Sequence, residues 1–147
     1  MKILLILFWT IAFVSANESP IWNQCGNSSD VFTPTSVTAQ KDPKNQTQTL
    51  VSACGTVNSH GSVTIFNRLK VDQNFGFADI VENLSYRKVV PSGSEFCLNY
   101  TGDYSRYPPM DVLVQITAYN VRGDEAGCVN MTLRIPVPES KFLLERI

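Results

Sequence analysis

From Tyr107 to Ile135 the chain alternates apolar and polar residues with a period of two on both sides of Arg122-Gly123-Asp124-Glu125. Val112, Val114, Ile116 and Ala118 share one parity before the break, with Asp111, Gln115, Thr117 and Tyr119 between and beside them. After it, Val129, Met131, Leu133 and Ile135 alternate with Cys128, Asn130, Thr132 and Arg134. Successive side chains of a strand point to opposite faces, so this stretch predicts two strands folded back on each other, dry on one side and wet on the other. A hairpin cannot bury its own dry face. A second layer must come from upstream, and the functional question becomes what else could lie against that face.

Upstream, alternating stretches and turn signals recur at intervals typical of an all-β sandwich. Val31 to Ala39 reads as a strand ended by Lys41-Asp42-Pro43-Lys44. Thr47 to Val57 reads as another, with Thr49, Val51, Ala53 and Val57 on one face, and Asn58 to Gly61 turns the chain. In Ser62 to Val71, the residues Val63, Ile65, Leu69 and Val71 are expected to point the same way. The pattern loosens from Asp72 to Pro91 around Phe75, Gly76, Phe77, Ile80, Val81 and Leu84. It resumes at Glu95 to Tyr100, and Gly102 to Pro109 is a turn-rich link. No window keeps apolar residues at spacings of three and four, so helices are expected to be short or absent. The tail from Pro136 to Ile147, with two prolines before Phe142-Leu143-Leu144, reads as a helical turn or as disordered chain.

Met1-Lys2, an apolar run from Ile3 to Val14 and the small-residue site Val14-Ser15-Ala16 have the order of a secretory signal. The run is too short to span a bilayer as a helix. The expected organisation is a signal peptide over residues 1–16, one β-sandwich domain over 17–135 and a tail over 136–147. Cys25, Cys54, Cys97 and Cys128 then read as two disulfides, with three pairings open. A Cys25 to Cys128 bridge would close a long loop, stabilise by about 4 to 5 kcal/mol in the chain-entropy account, and leave Cys54 with Cys97. Asn-x-Ser/Thr sequons stand at Asn17, Asn27, Asn45, Asn83, Asn99 and Asn130, and the last five are the candidate glycosylation sites. Asn99 and Asn130 fall on the wet parity of their strands.

With 12 basic and 13 acidic residues scattered along it, the chain has no basic stripe for nucleic acid. Arg87-Lys88 reads as a solvated face, with an anionic lipid head group as the sharper alternative. The one histidine, His60, sits beside Gly61 in a turn, and no cysteine pair has C-x2-C spacing, so neither metal nor cofactor is expected. There is no G-x-S-x-G elbow and no glycine-rich phosphate loop. Asp79 and Glu82 could form a carboxylate pair but read as solvated loop acids, so an enzyme is not expected.

Trp22-Asn23-Gln24-Cys25-Gly26, Val31-Phe32-Thr33-Pro34-Thr35-Ser36-Val37, Ala53-Cys54-Gly55-Thr56-Val57, Tyr107-Pro108-Pro109-Met110-Asp111-Val112 and Gly127-Cys128-Val129 occur in that order. Together they resemble the ML lipid-recognition family, which includes Niemann-Pick type C sterol carriers and phosphatidylglycerol/phosphatidylinositol transfer proteins. The resemblance implies an immunoglobulin-like sandwich of two antiparallel sheets, an apolar cavity holding a lipid between them, and a Cys25 to Cys128 bridge. The chain departs from many relatives in lacking a cysteine pair between Gly76 and Phe96, and in having Cys54 and Cys97.

On this reading the lipid meets Val63, Ile65, Phe96, Leu98, Tyr100, Val112, Val114, Ile116, Val129, Met131 and Leu133. Phe75, Phe77 and Ile80 would form a mobile apolar mouth or a loop packed on the sheet edge, and Tyr100, Tyr104 and Tyr107 a polar rim or the cover of an edge. Burying about a dozen methylenes yields roughly 10 kcal/mol gross, before ordering costs. The expected protein is a monomeric lipid-binding and transfer protein of the extracellular space or the endolysosomal lumen. Its expected partners are a sterol or phospholipid, a membrane surface met transiently and a receptor. Alternation describes a closed core as well as a pocket, so the rival reading is a secreted protein-binding or adhesion module.

Overall fold

The structure is a computed structural model of the 147-residue chain and describes residues 19–45 and 47–135. The expected signal segment, the Asn17 sequon and the tail lie outside the described residues. Eight strands form: β1 Ile21–Gln24, β2 Phe32–Lys41, β3 Gln48–Val57, β4 Val63–Asn74, β5 Asp79–Pro91, β6 Glu95–Asp103, β7 Asp111–Asn120 and β8 Glu125–Arg134. They make two antiparallel sheets, one of five strands in the order β1-β8-β7-β4-β5 and one of three in the order β2-β3-β6. The fold is the expected all-β sandwich.

The expected final hairpin is β7 and β8. Val112, Val114 and Ile116 stand opposite Leu133, Met131 and Val129, so one apolar face runs across both strands. The turn is held by Asn120, whose side-chain oxygen accepts from the backbone N–H groups of Arg122 (2.9 Å) and Asp124 (3.0 Å). Gly123 sits there at φ 84°, a left-handed conformation that costs glycine little.

Three elements differ from the sequence expectation. Between Phe66 and Arg68 the register of β4 shifts by a β-bulge, which reverses the parity of everything before it. Phe66 and Thr64 are buried, whereas Val63 is 45% exposed and Ile65 points outward with it. The loosely patterned segment is a turn at Phe75–Ala78 followed by the 13-residue edge strand β5, not an extended loop. The short edge strand β1 pairs with β8 and places Trp22 opposite Met131, against the core.

Two bridges each join neighbouring strands within one sheet. Cys25–Cys128 joins the end of β1 to β8, and Cys54–Cys97 joins directly opposed residues of β3 and β6. Between the sheets, Phe32, Val51, Ala53, Val57 and Leu98 of one layer meet Phe66, Leu69, Val71, Val112, Val114, Ile116 and Val129 of the other, all buried. Each large apolar side chain so buried contributes about 1.5 to 3 kcal/mol. Phe66 spans the layers, edge-on to Phe32 at 6.4 Å and stacked on Phe96 at 5.2 Å.

Candidate functional site

The two sheets end, on one side of the sandwich, in the edge strands β5 and β6. These strands follow each other in the chain and are tethered by the short turn after Pro91, yet no backbone ladder joins them. Register with β4 puts Ile80, Leu84 and Glu82 opposite Gln73, Leu69 and Val71, so these β5 residues share the inward face. Long side chains then span the gap. The Tyr86 hydroxyl donates to the Cys97 carbonyl and accepts from the Asn99 N–H, each at 3.3 Å. It thereby serves two backbone groups that an edge strand leaves unpaired.

Farther from the tether, the Tyr100 hydroxyl donates a 2.7 Å hydrogen bond to a Glu82 carboxylate oxygen. Burial, and then the carboxylate itself, push that hydroxyl well above the ordinary tyrosine pKa. The Tyr104 hydroxyl donates to the Gln73 side-chain oxygen at 2.7 Å, and burial raises its pKa as well. Phe75 closes this end, stacked on Tyr107 at 4.2 Å and tilted against Tyr104 at 6.3 Å. The free end of the seam is therefore polar inside and aromatic outside.

Of the residues expected to meet a ligand, Leu98, Tyr100, Val112, Val114, Ile116, Val129, Met131 and Leu133 are buried between the sheets, and Phe96 faces the same space half-buried. Ile80 is half-buried at the seam, and Phe75 is buried under Tyr107. Val63, Ile65 and Phe77 do not line the space: the first two lie on the outer side of the β4 bulge, and Phe77 is 69% exposed at the turn tip. Tyr100 and Tyr104 turn their hydroxyls into the interior rather than to an open rim, and Tyr107 covers Phe75.

The acids expected to be solvated part company. Asp79 accepts from the Asn74 side-chain amide at 2.6 Å, while Glu82 turns inward to Tyr100. Sequence reading missed Phe66, Gln73, Glu82, Leu84 and Tyr86 as members of this space. The signal for the β5 residues was present, because Ile80, Glu82, Leu84 and Tyr86 recur every second position once the acid is allowed on the dry face.

Where a cavity was expected, the structure has apolar side chains in one contiguous core. Two concavities lie outside it. One is a trough of about 600 Å³ across the outer face of the five-stranded sheet, flanked by the exposed Ile21, Val81 and Leu113 and containing Asn130. The other, about 620 Å³, lies between the β7–β8 turn and the segment after β1. There the Asn27 side-chain amide donates to Glu125 at 3.0 Å, and the Asn27 backbone N–H donates to Asp30 at 3.2 Å. Burial, then the Glu125 carboxylate, push Asp30 up to about 6. Among the described residues no three His, Cys, Asp or Glu side chains form a metal-ligand set. Asn27, Asn45, Asn83 and Asn99 are exposed, and Asn130 is half-buried.

The sequence matches no protein-family model and no curated protein. Among solved structures, the fold is similar to that of a Niemann-Pick type C2 protein from the Japanese carpenter ant. The TM-score is 0.55 at 14% identity, over 79% of this chain and 99% of that one. The likeness is one of fold: an all-β sandwich of two antiparallel sheets, here with two disulfides that fit an oxidising compartment.

Proposed function

We propose that this chain is a lipid-binding and transfer protein that shelters the apolar part of a sterol or phospholipid between its two sheets. The observation that carries this reading is the seam between β5 and β6, where the layers meet only through side chains. Parting the sheets there exposes Leu84, Phe96 and Leu98 without breaking a ladder hydrogen bond. The space is filled when empty of ligand, and a lipid enters by displacing contacts between side chains of opposite layers, a shift between two populated states of the sandwich. Similarity of fold to the ant protein supports the reading. It works after secretion, as a single domain behind a cleaved signal peptide, in the extracellular space or the endolysosomal lumen. It meets a membrane transiently and is modified on exposed sequons.

The filled core and the outer trough favour one other reading, a secreted module that binds a protein with its outer face. Mass spectrometry of organic extracts from the secreted, glycosylated protein separates the two. The carrier reading expects a sterol or phospholipid near one equivalent, in the isolated protein or after incubation with mixed liposomes. Extracts without lipid under both conditions leave the binding module.

A further inference from the structure

Along the inward face of the five-stranded sheet, aliphatic and aromatic side chains give way at one end to Gln73 and Glu82, and the opposite layer answers there with Tyr100 and Tyr104. A polar group inside a sandwich is costly unless it is matched. These four are matched among themselves, and they sit at the end of the β5/β6 seam that is not tethered by a turn. Both tyrosine hydroxyls are already used as donors, Tyr100 to Glu82 and Tyr104 to Gln73. What remains is mostly acceptor capacity. One Glu82 oxygen accepts from Tyr100, and no other described donor is bonded to the carboxylate. The ion pairs among the described residues are Lys70 with Asp72 and Arg134 with Asp111, so no cation neutralises Glu82. The Gln73 amide N–H group is the one neutral donor left over.

We propose that Glu82 reads the polar end of the ligand. The site takes lipids whose head donates a hydrogen bond, an alcohol or an amine, and rejects lipids that end in a carboxylate or another anion. This rests on the carrier reading. A lipid lying in the seam with its chain toward Phe96 and Leu98 leaves its head at the untethered end, beside Glu82. A hydroxyl or ammonium there donates to the free carboxylate oxygen, and a charge-assisted bond of that kind is stronger than a neutral one. An anionic head meets an unneutralised charge in a partly desolvated place, a repulsion that lowers affinity by at least about tenfold. The chain itself contributes the same burial in every case, so the head alone decides.

The test uses four chain-matched probes, hexadecanol, hexadecylamine, methyl hexadecanoate and hexadecanoate, each displacing a neutral fluorescent apolar dye from the intact protein at neutral pH. The expected order is amine and alcohol tightest, the ester weaker, and the carboxylate at least about tenfold weaker than the alcohol. Glu82→Gln should raise hexadecanoate affinity about tenfold while leaving the ester unchanged. Tyr100→Phe keeps the charge and should keep the discrimination. The wild-type panel needs no variant to fold. Equal displacement by all four probes overturns this inference and leaves the carrier reading standing; displacement by none overturns both.

Discussion

Gly127 of β8 lies against the ring of Phe32 of β2, so closely that a Cβ on the glycine would stand 2.8 Å from the Phe32 Cδ1 atom and 2.9 Å from its Cβ. Here the two sheets approach through a missing side chain. The neighbouring Cys128 is bonded to Cys25, which pins the same corner. On the opposite side, β5 and β6 are held apart by the lengths of Tyr86, Tyr100 and Glu82. The sandwich is thus tight along one side and propped along the other.

A methyl group at position 127 should expose this asymmetry. Phe32 is wholly buried and cannot swing away, so Gly127→Ala must separate β8 from β2 or push the ring into the core. Overpacking of this kind costs about 1 to 3 kcal/mol. Urea titration should show a lower midpoint with an unchanged slope. A wild-type midpoint would mean that the tight side has slack.

How much of this could be read from the sequence depended on the strand. β7 and β8 alternate without interruption and are buried on one face, so their parity, partners and wet face followed from counting by twos. In β4 the same counting ran through Asn67, where the bulge adds a residue, and it turned Val63 and Ile65 inward in place of Thr64 and Phe66. Burial of a large aromatic was the clue that the parity had switched. β5 was missed for another reason. It is an edge strand whose inward face carries Glu82 among Ile80, Leu84 and Tyr86, and a pattern search that scores an acid as outward breaks the alternation there. The residue that spoiled the pattern is the one proposed above to read a ligand's polar end.

Tyr86→Phe tests whether the propped side governs access. The substitution keeps the ring beside Phe96 and removes only the hydroxyl that serves Cys97 and Asn99. Both backbone groups lie on an edge strand, where water can replace the hydroxyl, so the stability loss should be about 1 kcal/mol or less. Uptake of a fluorescent sterol in stopped flow should become faster, with little change in equilibrium affinity. An unchanged uptake rate would place the entry elsewhere than the β5/β6 seam.

Phe77→Asp separates membrane contact from binding. Phe77 is 69% exposed at the turn between β4 and β5, its ring 6.0 Å from that of Phe75, at the same end of the sandwich as Glu82 and Tyr104. Because the side chain is already in water, losing it should change the unfolding free energy by no more than about 0.5 kcal/mol. Transfer of sterol from neutral vesicles should slow several-fold, since a carboxylate replaces the ring that would enter the interface. Equal transfer rates for the two proteins would remove the turn from the membrane contact.

Asp30 predicts a stability that rises on acidification. Its pKa of about 6 in the fold, against 3.8 for the free side chain, means that between these values the native state holds a proton that the unfolded chain has lost. Stability therefore grows as pH falls through 6 and the gain is complete below about 4, opposite to the usual behaviour of a paired carboxylate. The site is partly open to water, and after screening the effect should be about 1 kcal/mol or less. Asp30→Asn imitates the protonated acid: it can keep the bond from the Asn27 N–H and ends the repulsion by Glu125. The variant should unfold at higher temperature than wild type at pH 7.5 and at the same temperature at pH 4. Thermal unfolding across that range decides it, and parallel curves for the two proteins would show that Asp30 titrates no differently in the fold than in the unfolded chain.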